Sequence, residues 1–247
     1  MLDVIIPFHQ KDVSTLPDVI HSLKKNIYEI GQIYIIGVND PQIRNTVFVF
    51  ETEFQRFPPI EEYYRIHKYR IGWIFQQLIK LTAWKVITNL TDNYLVWDSD
   101  TILYKPMSFM NDDKFLFGKS YDIHEPYFQH ISRVLPMIKK RLEFSGICHY
   151  QILNKSYLKE LFELVQEIHE GISFEIVFLS MLDENEKACC SEYELYANFM
   201  VNYHNDKVIF RDVKSISYAT WDFNHIFETE IVPSDIEMAS FHKYQDI

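Results

Sequence analysis

Tyr94-Leu95-Val96-Trp97-Asp98-Ser99-Asp100 is a short apolar run that passes directly into two acids separated by a serine. Four uncharged residues of aromatic and aliphatic type read as a buried strand, which puts the acids at that strand's carboxyl end. Two carboxylates flanking a small residue can place oxygen ligands on a hard cation and leave positions open for phosphate. The triplet by itself is a weak signal, because a solvated turn after a strand has the same letters.

The residues before it supply a frame. Residues 2–6 are an apolar β-type run closed by Pro7. Residues 14–30 follow with helical spacing (Leu16, Val19, Ile20, Leu23, Ile27, Ile30), ended by Gly31. Residues 33–38 form a second apolar run that stops at Asn39-Asp40-Pro41. Strand, helix and strand in this order predict a βαβ opening, hence parallel strands with functional loops at their carboxyl ends. His9, Asn39 and Asp40 belong to those ends. A third strand is expected at 46–50, then a long loop with short helical pieces to residue 69, broken by Pro58-Pro59, then a helix at 74–87.

Beyond the triplet, 114–118 reads as a strand and 130–142 and 155–170 as helices, with the apolar segment Gly146-Ile147-Cys148 between them. A helix is expected to start at Ser191, since Glu194 stands at the capping-box offset and Leu195, Phe199 and Met200 continue an apolar face. Strands near 207–217 and 237–242 would finish the sheet. No repeat or linker divides the chain, so residues 1–247 read as one domain.

Composition narrows the function. With 47% hydrophobic and 16% aromatic residues the 247-residue chain can bury a sizeable core. A net charge of −11, from 24 Lys and Arg against 35 acids, leaves no basic footprint for nucleic acid. An anionic ligand would need local help from a metal or helix N-termini. Three cysteines, Cys148 and the adjacent Cys189-Cys190, form neither a zinc spacing nor an even disulfide framework, and the expected location is the cytoplasm. No segment approaches the ~20 apolar residues of a spanning helix, so membrane contact is expected only through a surface. Oligomeric state is not legible.

Five blocks in order resemble a bacterial and viral family of GT-A-type glycosyltransferases. They are Val4-Ile5-Ile6-Pro7-Phe8, the helix from Gly72 to Leu81, Leu95 to Asp100, Ser191-Glu192-Tyr193-Glu194-Leu195-Tyr196, and Phe241-His242. The resemblance spans nearly the whole chain. It implies a GT-A fold, a Rossmann-like α/β architecture with a central, mostly parallel mixed sheet flanked by helices. Residues up to about 105 would bind nucleotide and 106–247 would bind acceptor. The implied activity is transfer from a nucleotide-diphosphate sugar, UDP-linked first, to a glycan hydroxyl in polysaccharide biosynthesis, with inversion preferred.

Carried over by residue, the resemblance makes Asp100 a direct metal ligand, puts Asp98 near the ribose, the sugar or the metal, and completes the metal site with His242. Imidazole suits Mn²⁺ better than Mg²⁺, so Mn²⁺ is the first expectation and Mg²⁺ the second. Pro7, Phe8 and His9 line the base and ribose, with Phe8 stacking on the base, and Asp40 completes the base pocket unless it simply makes the Asp40-Pro41 turn. Ser99 accompanies Asp98 at the donor. Gln76 and Lys80 share one helical face, Trp73 and Gln77 a neighbouring one. Lys80 would pair with a phosphate or with Asp98, and the amides with sugar hydroxyls. Glu192 ranks first as general base, with Glu194 second or in an acceptor-binding role, Glu194 being equally a capping residue; a retaining enzyme would use neither. His149, Trp221 and Asp222 are acceptor-side candidates.

Two other classes share parts of this pattern. Asp98-Ser99-Asp100-Thr101-Ile102 also resembles the nucleophile motif of haloacid-dehalogenase-type phosphatases, although that motif normally opens its fold. A nucleotide- or carbohydrate-binding module without turnover would keep the same strand ends.

Overall fold

A computed structural model describes residues 1–55, 70–139, 142–219 and 232–242. The chain opens with β1 (Leu2–Pro7), whose residues from Asp3 onward are all buried, as befits a central strand covered on both faces. A short 3-10 turn at Gln10–Asp12 leads to α1 (Leu16–Asn26), which buries Leu16, Val19, Ile20 and Leu23. This helix is shorter than its periodicity predicts. Ile27 is already extended, and Ile30 opens β2 (Ile30–Gly37), where it pairs with Leu2. Its apolar side chain was recruited by the sheet, which periodicity alone does not distinguish from a last helical turn.

β3 (Val47–Phe50) and β4 (Asn93–Trp97) complete the parallel part of a five-stranded sheet, in which β3, β2, β1 and β4 lie side by side in that order and a later strand closes the β4 edge. β1 pairs in parallel with β2 on one side and with β4 on the other. The strand order therefore reverses at β1, and the loops leaving β1 and β4 lie side by side at the carboxyl ends. The helix α2 (Ile71–Val86), the longest one described, delivers the chain to β4.

β5 (Thr101–Leu103) starts immediately after Asp100. β6 (Met110–Asn111), β7 (Lys114–Lys119) and, later, β9 (Val208–Asp212) make a small sheet of order β6-β7-β9. α3 (Glu125–Val134) lies five residues earlier than the expected 130–142 helix, starting at His124-Glu125-Pro126 with a proline in its first turn. β8 (Tyr150–Asn154) was not expected. It runs antiparallel on β4 from Asn93↔Asn154 to Trp97↔Tyr150, and buried Gln151 breaks the apolar run that would have revealed it.

α4 (Lys155–Ile168) is capped by Asn154, whose side chain accepts from the Ser156 and Tyr157 N–H groups. α5 (Phe174–Ser180) is a short helix that the sequence reading missed. α6 (Glu192–Tyr203) begins where predicted, with Ser191 Oγ accepting from Glu194 N–H at 3.2 Å. It is buried on every side from Glu192 to Val201, an interior helix and not an amphipathic one.

The last strands do not finish the main sheet. β10 (Ser215–Ala219) and β11 (Met238–His242) join β5 in a separate sheet of order β10-β11-β5. Ser240 pairs with Thr101 across the antiparallel β11–β5 ladder, and this register carries His242 to Asp100. None of the described helices is long and apolar enough to cross a membrane.

The core between the small sheet and β8 is tight at Gly118: a Cβ there would lie 2.5 Å from Cys148 Sγ and 2.7 Å from its Cβ. Gly118→Ala should therefore destabilise the protein by about 1–3 kcal/mol, the usual cost of overpacking. The midpoint of urea denaturation checks this, and an unchanged midpoint would contradict the packing described.

Candidate active site

Asp98, Ser99 and Asp100 form a tight turn, closed by Thr101 N–H donating to Asp98 O at 3.2 Å. Each of the three side chains is held by a different part of the chain. Asp98 Oδ1 accepts from Lys80 Nζ and from the Tyr193 hydroxyl, both at 2.9 Å, while Oδ2 lies 3.4 Å from His149 Nδ1. Lys80 Nζ also reaches Glu192 Oε1 at 2.7 Å and donates to Tyr193 at 3.0 Å. α2 and α6 thus meet on one ammonium beneath the turn.

The charges are arranged to keep both partners ionised. Burial of Asp98 favours its neutral form, but the Lys80 charge and the His149 hydrogen bond outweigh it and hold the carboxyl well below its usual range. Burial of Lys80 opposes its charge, and Asp98 and Glu192 more than compensate, so its pKa lies well above the ordinary lysine value. A buried ammonium shared by two carboxylates is costly to break, because removing one member strands the others.

Ser99 Oγ donates to Asp12 Oδ2 at 2.8 Å, and Asp12 is 3% exposed. This contact ties the β1 exit loop to the β4 exit loop, as the strand order requires. Asp100 lies against β11: its carbonyl accepts from Phe241 N–H at 2.9 Å and its Oδ2 is 3.0 Å from His242 Nδ1. The bond to Asp100 raises the His242 pKa against the opposing effect of burial. The His149 and His242 rings are 5.4 Å apart, so both imidazoles face the same turn. His149 reaches it through a backbone conformation with φ +28°, uncommon for a non-glycine residue, and its carbonyl accepts from Asp98 N–H at 3.0 Å.

The structure gathers Lys80, Asp98, Ser99, Asp100, His149, Glu192 and His242 into this one cluster. Others sit differently. Phe8 is 4% exposed, with its ring in the core against Gly37, so it fills space and does not present a face to a base. Pro7 is buried in β1, and His9 is exposed with Nδ1 accepting from Lys11 N–H. Exposed Asp40 takes the turn alternative, its Oδ1 accepting from Gln42 N–H at 2.7 Å. Trp73 lies under the Arg70 guanidinium at 4.4 Å, and Gln76 is partly exposed.

Gln77 turns inward instead of toward a sugar. It is 2% exposed and its Oε1 accepts from Glu192 N–H at 3.0 Å, which satisfies a free donor at the start of α6. Glu194 is 1% exposed and its Oε2 accepts from Asn198 within the same helix, which removes it from any acceptor surface. Trp221 and Asp222 lie outside the described residues. Asp12 and Tyr193 escaped the sequence reading. Asp12 stood in a strand-end loop three residues past His9 and was legible by position; Tyr193 carried no signal apart from its place beside Glu192.

The fold is that of the GT-A glycosyltransferases. Mouse xyloside xylosyltransferase 1 in its apo form superposes with a TM-score of 0.52 at 9% identity, covering 100% of this chain and 99% of that one. The galactosyltransferase LgtC in complex with donor and acceptor sugar analogs is more distant, with a TM-score of 0.49 at 12% identity over 97% of this chain and 87% of LgtC. The chain belongs to the family DUF6492, described as a family of unknown function, whose model matches residues 25–231. No curated protein sequence matches it.

Lys80→Met should lower stability by about 3–5 kcal/mol, as expected for stranding buried carboxylates, in calorimetry or denaturant titration. A loss below about 1 kcal/mol would mean that the network is solvated. Because the folded pKa of Asp98 is depressed, its contribution is present above the unfolded value near 4 and disappears as pH falls toward the folded one. Asp98→Asn should therefore flatten the acid limb of the stability–pH curve.

Proposed function

We propose that this chain is a metal-dependent glycosyltransferase, moving a sugar from a nucleoside-diphosphate donor, UDP-linked first, to a hydroxyl of a glycan acceptor. One observation carries the reading: Asp100 and His242, brought from residues 142 apart onto one another, stand at the carboxyl end of β4 on a GT-A fold.

The donor set suits a divalent ion that is shared with the substrate. Among the described residues no three His, Cys, Asp or Glu side chains converge to hold an ion by themselves. A carboxylate and an imidazole would leave the remaining positions to diphosphate oxygens and water, the usual way such ions are held on phosphorylated substrates. When bound, Mn²⁺, or Mg²⁺ second, would neutralise charge developing on the leaving diphosphate.

The remaining roles follow from the hydrogen bonds. Lys80 and Tyr193 commit Oδ1 of Asp98, so this residue serves the donor through its Oδ2 edge beside His149. Asp12 fixes Ser99 and, through it, the height of the turn. Glu192 is 5% exposed and bound to Lys80, which makes it a counter-charge and not a free base. The preference for inversion rested on a free carboxylate there and loses that support.

The phosphatase alternative loses its frame, because β4 is the fourth strand along the chain and a complete βαβ unit precedes it. A binding module without turnover differs by a simple readout. Screening nucleotide sugars for release of nucleoside diphosphate with Mn²⁺ should give turnover with at least one donor.

Asp100→Ala and His242→Ala should each lose on the order of a hundredfold or more of that turnover, together with Mn²⁺ affinity measured by calorimetry. Unchanged turnover in Asp100→Ala would remove the proposal. Glu192→Gln should keep kcat within about tenfold, whereas the loss of a true general base costs about 10²–10⁴-fold.

A further inference from the structure

His149 stands immediately before β8, between buried Cys148 and Tyr150, in a tight turn where the Tyr150 N–H donates to the Cys148 carbonyl. Its carbonyl accepts from Asp98 N–H and its Nδ1 lies 3.4 Å from Asp98 Oδ2, so the residue is tied to the Asp98–Asp100 turn at two points. A non-glycine residue held at φ +28° by two contacts to one carboxylate residue carries a ring whose direction is fixed.

The contact with Asp98 decides which ring nitrogen bears the proton. Lys80 keeps Asp98 ionised, so its oxygens only accept, and His149 meets Oδ2 by donating from Nδ1. A neutral imidazole then has its lone pair on Nε2. The opposite arrangement holds at His124, His130 and His169, whose Nε2 atoms face carbonyl oxygens and must donate. Among the described residues His149 Nε2 has no hydrogen-bond partner; the side chain is 23% exposed, and the atom is not closed off from water. It is an open acceptor at the edge of the turn.

The parts of a diphosphate-linked sugar differ in what they offer such an atom. Phosphate oxygens are acceptors and are repelled by a lone pair, whereas a hydroxyl donates to it. His149 does not share the ion, since among the described residues no three His, Cys, Asp or Glu side chains converge on one point. Strand order says whose hydroxyl it meets. β1 and β8 flank β4 on opposite sides, and a nucleotide lies in the crevice where the order reverses, at β1. A diphosphate held at Asp100 and His242 would separate the nucleoside on that side from the sugar on the β8 side, where the His149 ring lies 5.4 Å from the His242 ring. The sugar hydroxyl nearest a diphosphate is the one on the carbon next to the anomeric carbon.

We propose that His149, oriented by Asp98, reads the transferred sugar through Nε2 by accepting from that hydroxyl, so that the preferred donors keep a hydroxyl there. The sugar rests on the glycosyl-transfer reading; the tautomer of His149 does not.

Calorimetry with Mn²⁺ compares UDP, UDP-glucose and UDP-galactose with the 2-deoxy-2-fluoro forms of both sugars, in which fluorine replaces the hydroxyl and cannot donate. Wild-type protein should bind at least one hydroxyl form about fivefold or more tighter than its fluoro form, the scale of one hydrogen bond. His149→Phe, which keeps a ring and loses Nε2, should erase that ratio while UDP and Mn²⁺ still bind as in wild type. His149→Gln, whose amide oxygen can accept, should keep part of it. Weaker UDP binding in His149→Phe would move the contact to the ribose, and weaker Mn²⁺ binding would make His149 an ion ligand; either overturns the proposal, as does equal binding of hydroxyl and fluoro forms by the wild type. Nitrogen NMR of histidine-labelled wild-type protein at about pH 8, above the ordinary imidazole range, needs no variant. His149 should be protonated on Nδ1 and bare on Nε2, and a proton on Nε2 overturns the proposal. If neither UDP nor any of the sugars binds, the failure is that of glycosyl transfer from UDP sugars, and the tautomer still decides His149.

Discussion

The ammonium of Lys80 is the point on which the site depends. It is almost out of water, and it is stable there only because Asp98, Glu192 and the Tyr193 hydroxyl surround it. Those groups come from the β4 exit and the first turn of α6, while Lys80 comes from the middle of α2. A single buried charge therefore fixes the distance between two helices and the end of a central strand. Each partner is held in its charged form by the others, so none can be exchanged alone without leaving an unmatched charge in the interior.

The same logic extends outward through weaker contacts. Asp98 is fixed from below by Lys80 and from the side by His149; Ser99 is fixed by Asp12; Asp100 is fixed by the register of β11. Four separate segments thus determine a turn of three residues. Such over-determination is what a site needs if its oxygens are to meet an ion and a diphosphate without rearranging. It also explains why the side chains of Gln77 and Ser191, polar residues near the cluster, serve the start of α6: a helix whose first turn carries Glu192 and Tyr193 has to be anchored before it can position them.

Much of the fold was legible because its signals are local. The βαβ opening, the strand before Asp98 and the capped start of α6 depend on neighbours in the chain, through apolar periodicity and the Ser191–Glu194 offset. What failed were features set by distant partners. Ile30 belonged to a strand because Leu2 was there to pair with it; β8 was hidden because Gln151 is buried and polar; β10 and β11 looked like the end of one sheet because nothing in their letters names β5 as the partner. Phe8 looked like a base-stacking ring because it leaves the first strand, yet the core claimed it.

The sequence by itself determined that two acids stand at the end of a buried strand behind a βαβ unit, since both statements follow from short-range pattern. It also named Lys80, Glu192 and His242 as candidates, through a family resemblance. Only the tertiary structure decided what they do. Lys80 binds Asp98 and Glu192 together, which turns an expected base into a counter-charge, and the β5–β11 ladder brings His242 onto Asp100. Charge pairing and strand register act between residues far apart in the chain, and their energies depend on burial, which a one-dimensional pattern does not carry.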